Sequence, residues 1–100
     1  MKTANPARGE AAILVAGETL VLRPSFEALV AAEEELGPLF ALVERAAGGG
    51  IRVAEIAALF WHCSGRGVAR ERIGEAIVER GLARTTPVLK VLLTQILQGR

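Results

Sequence analysis

A change of sequence pattern at Pro24 most constrains the fold. Before it, "AAILVAGETLVLRP" predicts two short strands joined by a tight turn, and after it apolar residues recur at helical spacing. A two-stranded hairpin is marginal by itself, so it must pack on the helices that follow. We therefore expect an α+β fold, mostly α, in which an N-terminal β-hairpin (10–23) packs on a bundle of four to five short helices (25–98).

The faces of the hairpin follow from its turn. Gly17-Glu18 fits a two-residue turn with glycine at the first central position. This turn pairs apolar residues that share the face toward the helices, Val15 with Leu20 and Ile13 with Leu22. Leu14 and Val21 fall on the opposite face, where a partner could contact them.

Capping residues and apolar stripes predict where each helix begins and ends. The first helix follows Ser25, a plausible N-cap, and ends at Gly37. The others are expected at about 38–47, 51–63, 68–80 and 86–98, the last beginning at Thr86-Pro87. The residues expected to face the core are Phe26, Leu29, Val30, Leu36, Val53, Ile56, Ala57, Phe60, Cys63, Ile73, Ala76 and Ile77.

Three consecutive glutamates, Glu33, Glu34 and Glu35, occupy the last turn of the first predicted helix. A helix C-terminus carries partial negative charge, so each is mildly unfavourable there, by roughly 0.3–1 kcal/mol. The next cation along the chain, Arg45, lies beyond the Gly37-Pro38 break. Either the three form a solvated face or they meet basic residues of a partner.

The last predicted helix carries more apolar side chains than a surface helix of a small bundle usually needs. It is central to the core, or part of it is an interface. From this surplus we take Val91, Leu92 and Gln95 as candidate partner contacts, together with the glutamates and the outer face of the hairpin.

The composition argues against catalysis and cofactor binding. The chain has one His and one Cys, His62 and Cys63, which are neighbours on a helix and point about 100° apart, too far for a ready nucleophile–base pair. They cannot supply the three or four ligands of a zinc site. We expect no catalytic residue, no metal and no cofactor, with Cys63 packed and His62 partly exposed.

A helix-turn-helix is the rival interpretation. Residues 54–59 resemble a first helix, "SGRG" would be the turn, and 68–80 would be the recognition helix, with Arg66, Arg70 and Arg72 toward DNA. The same helix carries three glutamates that would repel a duplex: Glu71, Glu75 and Glu79. A net charge of +1 also argues against a nucleic-acid partner.

Length and hydropathy bound the organisation and location of the chain. One hundred residues fit a single domain, 1–100, with residues 1–9 as a flexible N-terminus. No stretch of about 18 apolar residues predicts a membrane span, and "MKTANPARGE" lacks an apolar signal core. With a single cysteine, we expect a cytoplasmic protein.

The ordered set of segments resembles a family: the small tail assembly chaperones, or tail tube-associated proteins, of gene transfer agents and siphophage-like prophages. The matching segments are "GE" at Gly9-Glu10, "LRPSFEALVAAEEELG" (22–37), "RVAEIAALFWHC" (52–63), "IGEAIVERGL" (73–82) and "PVLKVLLTQILQG" (87–99). Phe26, Leu29, Glu33 and Gly37 occupy the family's positions in the first helix. The "SGRG" turn and its nearby arginines depart from the family pattern.

This resemblance implies a non-enzymatic role in building a phage-like tail within a bacterial host. The implied partners are the tape measure protein, the tail tube protein, or both, and self-association is a further expectation. The alternative functions are a structural tail component and, less well supported, a helix-turn-helix regulator.

Overall fold

The computed structural model describes residues 4–5 and 10–99, and it confirms an α+β architecture that is mostly α. Two antiparallel strands, β1 (Ala11–Val15) and β2 (Glu18–Leu22), form the hairpin. Five helices follow: α1 (Phe26–Leu36), α2 (Leu39–Ala47), α3 (Val53–Cys63), α4 (Arg70–Arg80) and α5 (Leu82–Gln98). Most of the predicted N-terminal segment, 1–9, lies outside the described residues.

The hairpin turn lies one residue earlier than predicted. Val15 pairs with Glu18 and Ile13 pairs with Leu20, so the turn residues are Ala16 and Gly17. Both have positive φ, 52° and 82°, as in a type I′ turn, whose twist matches that of the strands. The predicted pairing was therefore wrong by two residues. A shift of two preserves the side-chain faces, so Ile13 and Val15 still point into the core.

Helix α3 is the centre of the bundle. It packs against α1 and α4 and also contacts β2. Seven of its eleven residues are buried, which requires neighbours on several sides. The largest fully buried side chains of the core are Phe60, Ile13, Leu22, Leu42, Leu59, Ile73, Ile77 and Leu92.

The predicted limits of α1 are confirmed, but its predicted inward stripe is partly wrong. Ser25 Oγ accepts a hydrogen bond from the Ala28 N–H, and Gly37 ends the helix. Phe26 and Val30 are 85% and 40% exposed, because the small residues Ala28 and Ala32 form the buried face. Small residues let α1 approach α3 closely, and they leave the larger side chains of α1 outside.

Two other assignments are corrected by packing. Val53, expected inside, is 39% exposed at the start of α3. His62, expected to be partly exposed, is 7% exposed, because α3 is covered on more sides than one apolar stripe suggests.

Helix α5 begins at Leu82, four residues before the predicted start. Pro87 stands inside the helix, and the hydroxyls of Thr85 and Thr86 donate hydrogen bonds to carbonyls of the preceding turn, at 2.9 Å to Gly81 O and 2.8 Å to Leu82 O. The predicted start was wrong because proline usually stands in the first turn of a helix, whereas this helix accommodates Pro87 in its second turn.

Candidate functional site

A polar corner, defined here as Glu35, Trp61, His62 and Arg70, ties three helices together. Glu35 ends α1, and its carboxylate accepts hydrogen bonds from both terminal nitrogens of Arg70 on α4, at 2.5 and 2.8 Å. Its Oε1 also lies 2.9 Å from Nε2 of His62 on α3. The bidentate geometry is the strong form of a carboxylate–guanidinium pair.

The corner supplies the cation that the sequence around Glu35 lacks. The Arg70 guanidinium, and then His62, hold the pKa of the Glu35 carboxyl below its usual value, while Glu35 raises the pKa of Arg70. The Arg70 guanidinium also lies 4.4 Å from the centre of the Trp61 ring. Trp61 is fixed in turn, because its Nε1 donates to the Val68 carbonyl at 2.9 Å.

Glu33 also has an intramolecular partner. Its Oε2 accepts a 3.0 Å hydrogen bond from the Leu39 N–H, at the beginning of α2. Pro38, the N-cap of α2, gives no side-chain cap, so Glu33 takes that role from the preceding helix. Glu34 is exposed and forms no ion pair within the described residues. Two of the three glutamates are therefore engaged within the chain.

An open groove lies beside the polar corner, between the first half of α3 and the outer face of α4. We call it the α3–α4 groove; its volume is about 770 Å³. Its lining combines apolar residues with glutamates and an arginine. The apolar residues are Leu36, Val53, Ala54, Ala57, Gly74 and Val78, and the charged residues are Glu35, Glu55, Arg70, Glu71, Glu75 and Glu79.

Gly74 on α4 lines the groove and faces open space. A Cβ added at Gly74 would meet no atom within 4 Å, so no close contact requires a glycine there. Glycine inside a helix costs roughly 0.5–1 kcal/mol relative to alanine. This position therefore lowers the stability of α4 and keeps the groove open. Val78, one turn further along, is 70% exposed.

The glutamates of the groove differ in their partners. Glu55 accepts the Arg52 N–H at 2.9 Å and is paired with Arg45, and Glu35 belongs to the polar corner. The acidic stripe, which we define as Glu71, Glu75 and Glu79 at successive i, i+4 positions of α4, forms no ion pair within the described part of the chain. Each like-charge i, i+4 pair destabilises a helix by roughly 0.2–0.5 kcal/mol. Glu71 stands in the first turn of α4, where the helix dipole favours an acid, so the cost falls mainly on Glu75 and Glu79.

The other residues predicted to contact a partner do not form one surface. Val21 and Leu92 are buried, at 7% and 0% exposure, and so have packing roles. Leu14 is 58% exposed on the outer face of the hairpin. Val91 and Gln95 are half-buried on α5.

The arrangement does not favour nucleophilic chemistry or the helix-turn-helix interpretation. Burial raises the pKa of the Cys63 thiol to about 12, so the thiol stays protonated at neutral pH. No group of three or more His, Cys, Asp or Glu side chains among the described residues could hold a metal ion. Arg70, expected to face DNA, is held by Glu35, and Arg66 lies 5.6 Å from the centre of the Trp61 ring.

The groove was missed from the sequence, although part of its signal was there. Gly74 and Val78 adjoin the acidic stripe on a helical wheel, so an apolar strip bordered by acids could have been read from 71–79 alone. The opposite wall of the groove could not be predicted from the sequence, because it forms only when α3 packs on α4.

None of the described helices combines the length and apolar character needed to cross a bilayer. Comparison with known proteins matches residues 8–99 to the model of a family described as "Phage tail tube protein, GTA-gp10". Searches of curated proteins and of solved structures found no match.

Proposed function

This chain belongs to the family described as phage tail tube protein, GTA-gp10, and from that membership we propose that it is a non-enzymatic assembly chaperone of a phage-like tail. Family membership supports a structural or an assembly role connected with the tail of a phage or gene transfer agent. The chaperone role, and the tape measure and tail tube proteins as partners, are our proposal.

The observation that carries the proposal is the α3–α4 groove. Its apolar lining is open to solvent and is bordered by charge, which is the form of a site that receives the apolar face of a helix. Val53 and Val78 contribute exposed apolar surface there. A long helical protein waiting to be packed into a tail exposes such faces, and covering them would keep it soluble.

Co-expression with the tape measure protein of the same tail tests the proposal. We expect the tape measure protein to remain in the soluble fraction only when this chain is present, and the two to elute together on size exclusion. The Glu34→Gln variant, which keeps the intramolecular hydrogen bonds of Glu33 and Glu35, asks whether that acidic turn also contributes to binding. A tape measure protein that is equally soluble with and without this chain would exclude the chaperone role.

A second candidate, a subunit of the tail tube itself, is favoured by the description of the family. It predicts self-association into rings or tubes and retention in finished particles, whereas a chaperone is absent from them. Quantitative mass spectrometry of purified particles separates the two, because a tube subunit would be present in many copies per particle.

A further inference from the structure

We propose that the α3–α4 groove binds an amphipathic helix whose apolar face is flanked by Lys or Arg side chains. That the helix belongs to a tail protein rests on the proposed function. The chemistry of the helix rests on the groove alone.

The apolar part of the inference follows from the shape of the groove. The edge formed by α4 runs from Glu71 to Glu79, eight residues of helical rise or about 12 Å, so it matches a little over two turns of a bound helix. Leu36, Ala57 and Gly74 line the groove. A helix with apolar residues at i, i+3, i+4 and i+7 would cover this length.

The charge requirement follows from which glutamates remain available. Glu35 and Glu55 already have arginine partners, Arg70 and Arg45. The acidic stripe has no such partner and runs along the open side of the groove. Lys or Arg side chains on the flank of a bound helix would lie beside the acidic stripe and would offset the repulsion among its glutamates. An acidic helix would add to that repulsion.

A second copy of this chain does not offer a matching helix. Among the helices that the structure describes, α5 is the one without an acidic residue, which makes it the best internal candidate. Its exposed leucines, Leu82 and Leu97, stand near opposite ends of the helix, and the side chains exposed between them include the polar Thr86, Lys90 and Thr94, so α5 presents no exposed apolar stripe at i, i+3, i+4 and i+7. The occupant is therefore assigned to a different chain.

The test uses two synthetic helical peptides and the full-length protein. One peptide carries Leu at i, i+3, i+4 and i+7 with Lys on both flanks, and the other has Glu in place of every Lys. Binding is followed by fluorescence anisotropy and by stopped-flow association kinetics. We expect the Lys peptide to bind at least about tenfold more tightly than the Glu peptide at low salt.

Filling the groove separates docking there from binding elsewhere. Gly74→Trp places a large side chain in open space inside the groove. We expect this variant to bind the Lys peptide about tenfold or more weakly than the wild type does. Gly67→Trp is the matched control, because Gly67 also faces open space, has no positive φ, and lies outside the groove. Circular dichroism of both variants reports whether they fold.

Neutralising the stripe tests the charge requirement. The Glu71/Glu75/Glu79→Gln variant should lower the association rate of the Lys peptide by about tenfold at low salt, with a smaller effect on dissociation. The control is Glu27/Glu34/Glu44→Gln, which removes the same charge from exposed residues outside the groove and should change the rate much less.

Three results would overturn the inference. They are equal binding of the Lys and Glu peptides, unchanged binding by folded Gly74→Trp, and a protein dimer in sedimentation that Gly74→Trp abolishes. The last would make a second copy the occupant. The two proposals can fail separately: if folded Gly74→Trp still keeps the tape measure protein soluble, only the groove assignment is lost, and if wild type binds the Lys peptide but does not keep the tape measure protein soluble, only the chaperone role is lost.

Discussion

Two sets of three glutamates lie in this small protein, and they have opposite fates. Glu33, Glu34 and Glu35 lie in the last turn of α1, where the helix dipole disfavours them. Yet Glu33 caps α2 and Glu35 closes the polar corner. The acidic stripe on α4 has no cation within ion-pair distance among the described residues. The local sequence makes the first set look like the one that needs an external partner, whereas the structure leaves the second set without one.

A charge that the fold leaves unpaired therefore indicates function better than a charge that is only locally unfavourable. Arg70 lies 35 residues from Glu35 in sequence and reaches it through the packing of α4 against α3. The stripe and Gly74 both lower the stability of α4, and both border one groove. Residues that cost stability and converge on one surface are expected at a binding site.

The largest effect should come from removing the carboxylate of the polar corner. Glu35→Ala leaves Arg70 unpaired and leaves the buried His62 ring, whose Nδ1 already lacks a partner among the described residues, without a partner at Nε2. We expect a loss of about 1–2 kcal/mol in the free energy of unfolding, since Glu35 is partly exposed. Urea denaturation measures it. Glu34→Ala, the adjacent control, should stay within about 0.5 kcal/mol, and equal losses would refute the distinction.

A substitution at Gly74 should raise the free energy of unfolding instead of lowering it. Gly74→Ala should raise the free energy of unfolding by about 1 kcal/mol, because alanine favours the helix and its Cβ meets no neighbouring atom. The same denaturation experiment measures it. Gly37→Ala is the contrast: its φ of 84° requires glycine, so that variant should be less stable than the wild type. A destabilised Gly74→Ala protein would mean that glycine has a packing role there.

The two acidic sets should respond oppositely to neutralisation. Glu75→Gln removes both like-charge i, i+4 pairs of the acidic stripe and keeps Glu71 in the first turn of α4, so we expect a gain of about 0.5 kcal/mol at low salt that disappears at high salt. Glu33/Glu34/Glu35→Gln should instead destabilise the protein, because it weakens the corner and the cap on α2. Thermal unfolding at two ionic strengths distinguishes them. A change of the same sign in both variants would contradict the proposed difference between the two acidic sets.

The smallest effect is a pH dependence. The folded-state pKa of Glu35 is depressed below its usual 4.5 by Arg70 and then by His62. Its contribution to stability is therefore present above the unfolded pKa and is lost as the pH falls through the lower folded value. Between about pH 6 and pH 3, wild type should lose more stability than Glu35→Gln, by less than about 1 kcal/mol because the carboxylate is partly exposed. Parallel profiles would contradict this.

Much of the fold could be predicted from local sequence. Ser25 and Gly37 mark the ends of α1, and the hairpin follows from short apolar runs around Gly17. The errors arose where local rules compete: Ala16 accepts positive φ in the turn, and α5 continues through Pro87. The ion pair between Glu35 and Arg70 and the two walls of the groove depend on tertiary packing, which no local pattern specifies.

The most direct test of the account is to map the bound partner on the protein by NMR. Labelled protein would be titrated with the tape measure protein, or with its shortest soluble binding segment, and amide shift changes recorded. We expect the largest changes at Val53, Ala57, Gly74 and Val78, with the Leu14 face of the hairpin and the Phe40 side of α2 unchanged. Changes confined to those two surfaces, with the groove unaffected, would contradict it.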